Sequence, residues 1–100
     1  MNLPKGDCIY IIQSKDFIKV GYTTDIMQRL QSHKRTLKDP DAEVILIVYN
    51  AYAHRIEQSV HTVFKPLYKK EYHRIENKEE IVKFILRHQE GRTEELKIFF

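Results

Sequence analysis

Two β-prone stretches, Cys8 to Ser14 and Asp16 to Tyr22, follow one another with only polar residues around Ser14 and Lys15 between them. A connection that short leaves an antiparallel hairpin as the pairing open to them. With the tip at Ser14 and Lys15, Tyr10 faces Lys19 and Cys8 faces Gly21 on one side of the ribbon. A slip of one residue would send Tyr10 and Lys19 to opposite faces, so everything read from this pair depends on the register.

The rest of the chain supplies elements to cover that hairpin. Thr24-Asp25 is a helix N-cap signal ahead of Ile26, Leu30 and His33 at helical spacing. Arg29 and His33 are four apart and project from the same side of that helix. The loop from Thr36 to Ala42, with Pro40, leads into EVILIVY, Glu43 to Tyr49, a run continuous enough for a central strand buried on both faces. A second helix is predicted over Ala51 to Phe64, with Ala53, Ile56, Val60, Val63 and Phe64 as its apolar stripe and Glu57 beside it. Pro66 stops it, and Leu67 to Ile75 reads as irregular or as a short extended piece. Asn77 with Glu80 resembles a capping box for a third helix carrying Ile81, Phe84 and Ile85, ended by Gly91. The apolar tail LKIFF is expected to dock on the domain or to serve as a homodimer contact. The order β-β-α-β-α-α gives an α+β fold, a small three-stranded antiparallel sheet flanked by about three helices. One domain is expected over 1–100, with its core at 8–87 and a C-terminal extension at 88–100.

Composition narrows the class without naming a function. A chain of 100 residues makes one small core, burying roughly 60 to 65% of its unfolded surface. Apolar residues at 42% and charged residues at 31% exclude disorder. No window approaches the roughly 18 apolar residues of a membrane span, and no secretory leader is evident. Cys8, the single cysteine, can form no internal disulfide and belongs to no metal-ligand spacing. These features predict a soluble intracellular protein, of the cytoplasm or, in a eukaryotic host, of the nucleus. A net charge of +3 is a mild bias toward polyanions. There is no Gly-rich phosphate loop and no serine elbow, and His54, Glu57 and His61 lack the spacing of zinc hydrolases.

As a set, these residues resemble the GIY-YIG nuclease superfamily, and more closely its phage and virus branch with Lys in the second half-motif. Cys8-Ile9-Tyr10 stands for GIY and Lys19-Val20-Gly21 for YIG. Arg29 falls where that family carries its Arg, and His33 where many members carry a His. RIEQSVHTVF, from Arg55 to Phe64, is similar to the branch's second-helix signature, with Glu57 followed by His61. KKEYHRI, from Lys69 to Ile75, is similar to its Gly-Glu-aromatic-aromatic segment. Two departures stand out: Cys8 replaces the motif's Gly and Lys19 its Tyr.

The resemblance implies a metal-dependent endonuclease acting on nucleic acid, DNA before RNA. Glu57 would bind Mg²⁺ or Mn²⁺, and Arg29 would clamp a phosphate oxygen through its planar fork. Tyr10 would take the proton from water, helped by a neighbouring cation at Lys19, because a phenol with a pKa of about 10 is a poor base at neutral pH. His33 would hold Tyr10 or the water, or serve as the base itself. Lys34, Arg35, Lys69, Lys70 and Arg74, with Lys38, Lys65 and Lys78, would contact the phosphate backbone. The alternative is an inert module of the same fold that binds nucleic acid or another protein.

Overall fold

The computed structural model describes residues 3–36, 41–67, 71–88 and 97–99; the side chains of 34–36 and 97–99 lie outside that description. Strands β1 (Cys8–Gln13) and β2 (Phe17–Thr23) form the expected antiparallel hairpin. Its tip lies one residue beyond the predicted place. The Ser14 N–H donates to the Phe17 carbonyl at 2.9 Å, so Lys15 and Asp16 make the turn. Asp16 is a poor strand residue whose side chain favours turns, which draws the tip toward it. Tyr10 consequently pairs with Gly21, Cys8 with Thr23 and Ile12 with Lys19. Because the change of partner is by two positions, the faces survive, and Tyr10 and Lys19 remain diagonal neighbours on one side.

Strand β3 (Glu43–Tyr49) pairs antiparallel with β1 over the whole predicted range, with a bulge between Ile11 and Ile12. Two three-residue strands widen the three-stranded centre. β4 (Tyr72–Arg74) adds to β2, and β5 (Lys97–Phe99) adds to β3, giving the order β4-β2-β1-β3-β5 among the described residues. The tail therefore takes the first of its two expected roles, docking on its own domain by backbone pairing. Pro40 and Gly91 lie outside the described residues.

Helices cover both faces, as the alternation of the strands requires. On one side Ile9, Ile11, Ile18, Val20, Leu46 and Val48 meet helix α2 (Ala53–Phe64) and helix α3 (Lys78–His88) through Ala53, Ile56, Val60, Ile81 and Ile85. Each such isoleucine or leucine contributes on the order of 1.5–3 kcal/mol through burial. On the other side Cys8, Tyr10, Ile12 and Ile47 meet helix α1 (Ile26–Thr36). The footing there is thinner: among the described side chains of α1, only Ile26 and His33 are buried.

Local signals set the helix ends. The Asp25 carboxylate accepts the Gln28 amide at 3.2 Å, confirming the N-cap of α1. The Asn50 side chain accepts the Tyr52 amide at 2.7 Å and its carbonyl accepts the Ala53 amide at 2.9 Å, so α2 starts just after the predicted Ala51. It ends at Phe64 with Lys65 in the left-handed region (φ 44°) ahead of Pro66. A 3-10 turn at Ile75–Asn77 precedes α3, whose first turn is acidic and last turn basic, in line with its dipole. No helix among the described residues is long and apolar enough to cross a membrane.

Gly21 is the one position in the hairpin that tolerates no side chain. The Tyr10 ring lies across it, and a Cβ on Gly21 would overlap the phenol oxygen and ring, with Cε1 at 2.9 Å. The neighbour here is a fully buried aromatic ring that cannot swing aside. Gly21→Ala is expected to destabilise the fold by about 1–3 kcal/mol in urea denaturation. In a Tyr10→Leu background the same change should have a markedly smaller effect.

Candidate functional site

A polar chain crosses the α1 face of an otherwise apolar sheet. Lys19 Nζ lies 3.2 Å from His33 Nδ1, and His33 Nε2 lies 2.8 Å from Tyr10 Oη. All three residues are buried, Tyr10 at 1% exposure, His33 at 6% and Lys19 at 7%. The strands deliver Tyr10 and Lys19 to one face, and the helical stripe Ile26, Leu30, His33 delivers the imidazole onto them.

The chain has a direction. An ammonium can only donate, so His33 Nδ1 accepts from Lys19 and the ring proton of the neutral imidazole sits on Nε2. His33 Nε2–H then donates to Tyr10 Oη, whose own proton is left to point elsewhere. Burial, then the Lys19 and Arg29 charges, push the His33 pKa down to about 4, so the ring stays neutral at physiological pH. Tyr10 moves the other way. Burial raises its pKa well above the ordinary 10, with Glu71 and Glu57 adding to the rise and Arg29 opposing it. The net shift of the phenol runs opposite to the lowering expected from a neighbouring cation, because burial dominates it, and the contact that Lys19 makes is with the histidine that holds the phenol. Its charge is balanced by Glu71 at 3.3 Å, and its ammonium lies 5.5 Å from the Tyr72 ring centre.

Glu71 is the residue that sequence reasoning left without a role. Among the described residues, strand β4 pairs with Phe17, Ile18 and Lys19 of β2, and the Val20 amide then bonds the Glu71 carbonyl at 2.9 Å. That register brings the Glu71 carboxylate to Lys19. The clue available in the sequence was the place of Glu71 in the KKEYHRI segment.

Past the start of β4, the Tyr22 amide is met by Glu57 of α2. Glu57 is 7% exposed, and Gln58 Nε2 donates to its Oε1 at 3.1 Å. Its pKa is raised, first by burial and then by the Glu71 charge, against the lowering effect of the Gln58 hydrogen bond, of His54 and of the Tyr22 amide. Glu57 and Glu71 line one groove of about 370 Å³ together with Gln58, His61, Thr62 and Pro66. Arg29 is exposed and lines a second groove of about 420 Å³ with Tyr22, Thr23, Asp25, Gln28 and Ser32.

The predicted residues are thus brought together in part. Tyr10, Lys19 and His33 are in contact; Arg29 and Glu57 act on Tyr10 by charge from separate grooves. Of the expected backbone contacts, Arg74 is exposed on β4, while the side chains of Lys34 and Arg35 and the whole of Lys38, Lys69 and Lys70 lie outside the described residues. Lys78 donates to Gln13 at 3.2 Å. Cys8 packs at 0% exposure, its thiol pushed up to about 12 by burial and by Asp7, so it is an inert core residue.

The buried histidines make stability depend on pH. Unfolded histidines titrate near 6.5, whereas His33 and His73 are each pushed down to about 4 and His61 is lowered too, in each case chiefly by burial. The contribution of His33 and His73 is complete above the unfolded value and is lost as pH falls from there through about 4, and that of His61 is lost in the same direction, because the unfolded chain then binds protons that the folded chain does not. Glu57, with its raised pKa, works in the opposite sense. His33→Gln is therefore expected to reduce the dependence of unfolding free energy on pH between 6.5 and 4 by up to one proton relative to wild type, as read by urea denaturation at a series of pH values.

No curated protein and no solved structure matches the chain significantly. A family profile does, over residues 7–94, which takes in the hairpin, all three helices and every residue of the polar chain. The chain belongs to the T5orf172 domain family.

Proposed function

We propose that the protein is a metal-dependent phosphodiesterase acting on nucleic acid, DNA in the first instance, and an endonuclease of the GIY-YIG type. The observation that carries this reading is the Lys19–His33–Tyr10 chain itself. Burying an ammonium, an imidazole and a phenol against isoleucines is unfavourable unless the network is satisfied, and such networks concentrate at functional sites. This one terminates at a hydroxyl on which the charges of Arg29, Glu57 and Glu71 all act. Membership of the T5orf172 family, which is associated with nuclease-like proteins, supports the same reading.

On this reading each residue has a distinct role. Tyr10, with His33 Nε2–H steadying its oxygen, is the proton acceptor for the attacking water. Lys19 is a positioning residue that keeps His33 neutral and in one tautomer. Arg29, exposed in its groove, clamps a nonbridging phosphate oxygen. Glu57 is the carboxylate for a hard divalent ion. Burial and the charge of Glu71 both disfavour its ionised form, and a cation in the shared groove would relieve that repulsion. Among the described residues no group of three or more His, Cys, Asp or Glu is placed to hold a metal ion; Mg²⁺ and Mn²⁺ suit an open site with one or two carboxylates and water. Bound there, such an ion would neutralise charge on the phosphoryl oxygens and assist the leaving group.

Tyr10 and His33 predict different pH profiles for cleavage. With Tyr10 as base, the rate should climb about tenfold per pH unit from neutral into alkaline solution, since the phenol's pKa is raised. With His33 as base it should level off not far above pH 4. Glu57→Ala should abolish Mg²⁺-dependent cleavage of labelled DNA with the fold intact by circular dichroism, Arg29→Ala should slow it by about 10²–10³, and Tyr10→Phe should remove it. Full activity in Glu57→Ala would remove Glu57 from the mechanism.

One observation favours a second reading. Tyr10 is almost completely covered, which suits a network that only ties α1 to the sheet. A protein that shifts labelled DNA yet never cuts it in Mg²⁺ or Mn²⁺ would be the inert binding module.

A further inference from the structure

Four residues after Glu57 on the same face of α2, His61 places Nε2 at 3.8 Å from Glu57 Oε1. The other ring nitrogen, Nδ1, is 2.8 Å from His73 Nε2, and the two rings lie parallel within 7°. The outer nitrogens of this pair, His61 Nε2 and His73 Nδ1, are buried without a hydrogen-bond partner. An orphaned buried nitrogen calls for a physical reason. If His61 Nδ1–H donates to His73, the bare lone pair of His61 Nε2 confronts the carboxylate oxygen of Glu57. Two electron-rich atoms held side by side and out of water repel one another, and a cation between them removes the repulsion.

We propose that His61 is a second ligand of the ion held by Glu57, making the site an oxygen-plus-nitrogen site selective for nitrogen-tolerant divalent ions, Mn²⁺ and Zn²⁺ among them, over Mg²⁺. The inference rests on the reading of Glu57 as the metal carboxylate. Two donors each about 2.1 Å from a common ion lie about 3.4 Å apart at a tetrahedral angle, so the observed 3.8 Å closes with a few tenths of an ångström of side-chain rotation. His73 is the outer partner that such a ligand needs: it accepts the Nδ1 proton and thereby turns Nε2 toward the ion. At 0% exposure, His73 is fixed in place for this. Imidazole nitrogen favours the later first-row ions, whereas Mg²⁺ prefers oxygen alone. Glu71 is not counted as a ligand, because its carboxylate is engaged by Lys19.

The test is ion binding by the intact chain without nucleic acid, so that its outcome is independent of cleavage. Free Mn²⁺ is followed by electron paramagnetic resonance during titration, and Mg²⁺ by competition. Wild type is expected to bind Mn²⁺ about tenfold or more tightly than Mg²⁺. His61→Gln should weaken Mn²⁺ by about 10–100-fold and leave Mg²⁺ within about twofold; Glu57→Gln should lose both. A folded His61→Gln protein that keeps the full preference overturns the proposal. Should that variant not fold, the wild type decides through ¹⁵N resonances of its histidine side chains with Zn²⁺ as probe. Metal-dependent displacement of the His61 Nε2 signal, with Nδ1 still protonated, supports the ligand assignment; an unmoved signal at excess Zn²⁺ overturns it. Loss of DNA cleavage with the Mn²⁺ preference intact would sink the nuclease reading alone.

Discussion

The close approach of the Tyr10 ring to the bare backbone of Gly21 governs the rest of this structure. It holds the phenol flat against β2, which leaves its oxygen at the height where His33 of α1 can reach it. Helix α1 has little apolar footing, with Ile26 and His33 as its buried described side chains, so the phenol–imidazole contact also helps to seat the helix. Packing and polar chemistry are one problem here. A side chain at position 21 would lift the ring, and the helix with it.

A second constraint comes from the shortness of β4. Because it covers β2 only as far as Lys19, with one further bond at Val20, the Tyr22 amide emerges where Glu57 meets it from the opposite face of the sheet. Groups from the two faces therefore communicate around a strand end. Glu71, at the entrance to β4, links the two sides: it neutralises Lys19 on one and raises the pKa of Glu57 on the other.

What could be read from the sequence was what depends on local periodicity. Strand alternation puts Tyr10 and Lys19 on one face whichever of the two tips is used, and helix spacing puts His33 on the stripe with Ile26 and Leu30. The helix start at Asp25 carries its own side-chain cap. What escaped depends on contacts between segments far apart in the chain. The partner of Lys19 is set by the register of β4 against β2 and by the seating of α1, and neither leaves a local trace. The pairing of His61 with His73 joins a helix to an edge strand, and nothing in either segment alone announces it. Burial explains the direction of the Tyr10 shift, and burial is a property of the assembled fold rather than of the hairpin.

Among the described residues, the two outermost strands, β4 and β5, are each three residues long. A stray extended segment arriving at either margin would find too few amides and carbonyls for a lasting ladder. Brevity at these borders thus works against self-templated fibre growth in a small β-rich protein, and the charged residues Arg74 at the end of β4 and Lys97 at the start of β5 act in the same direction.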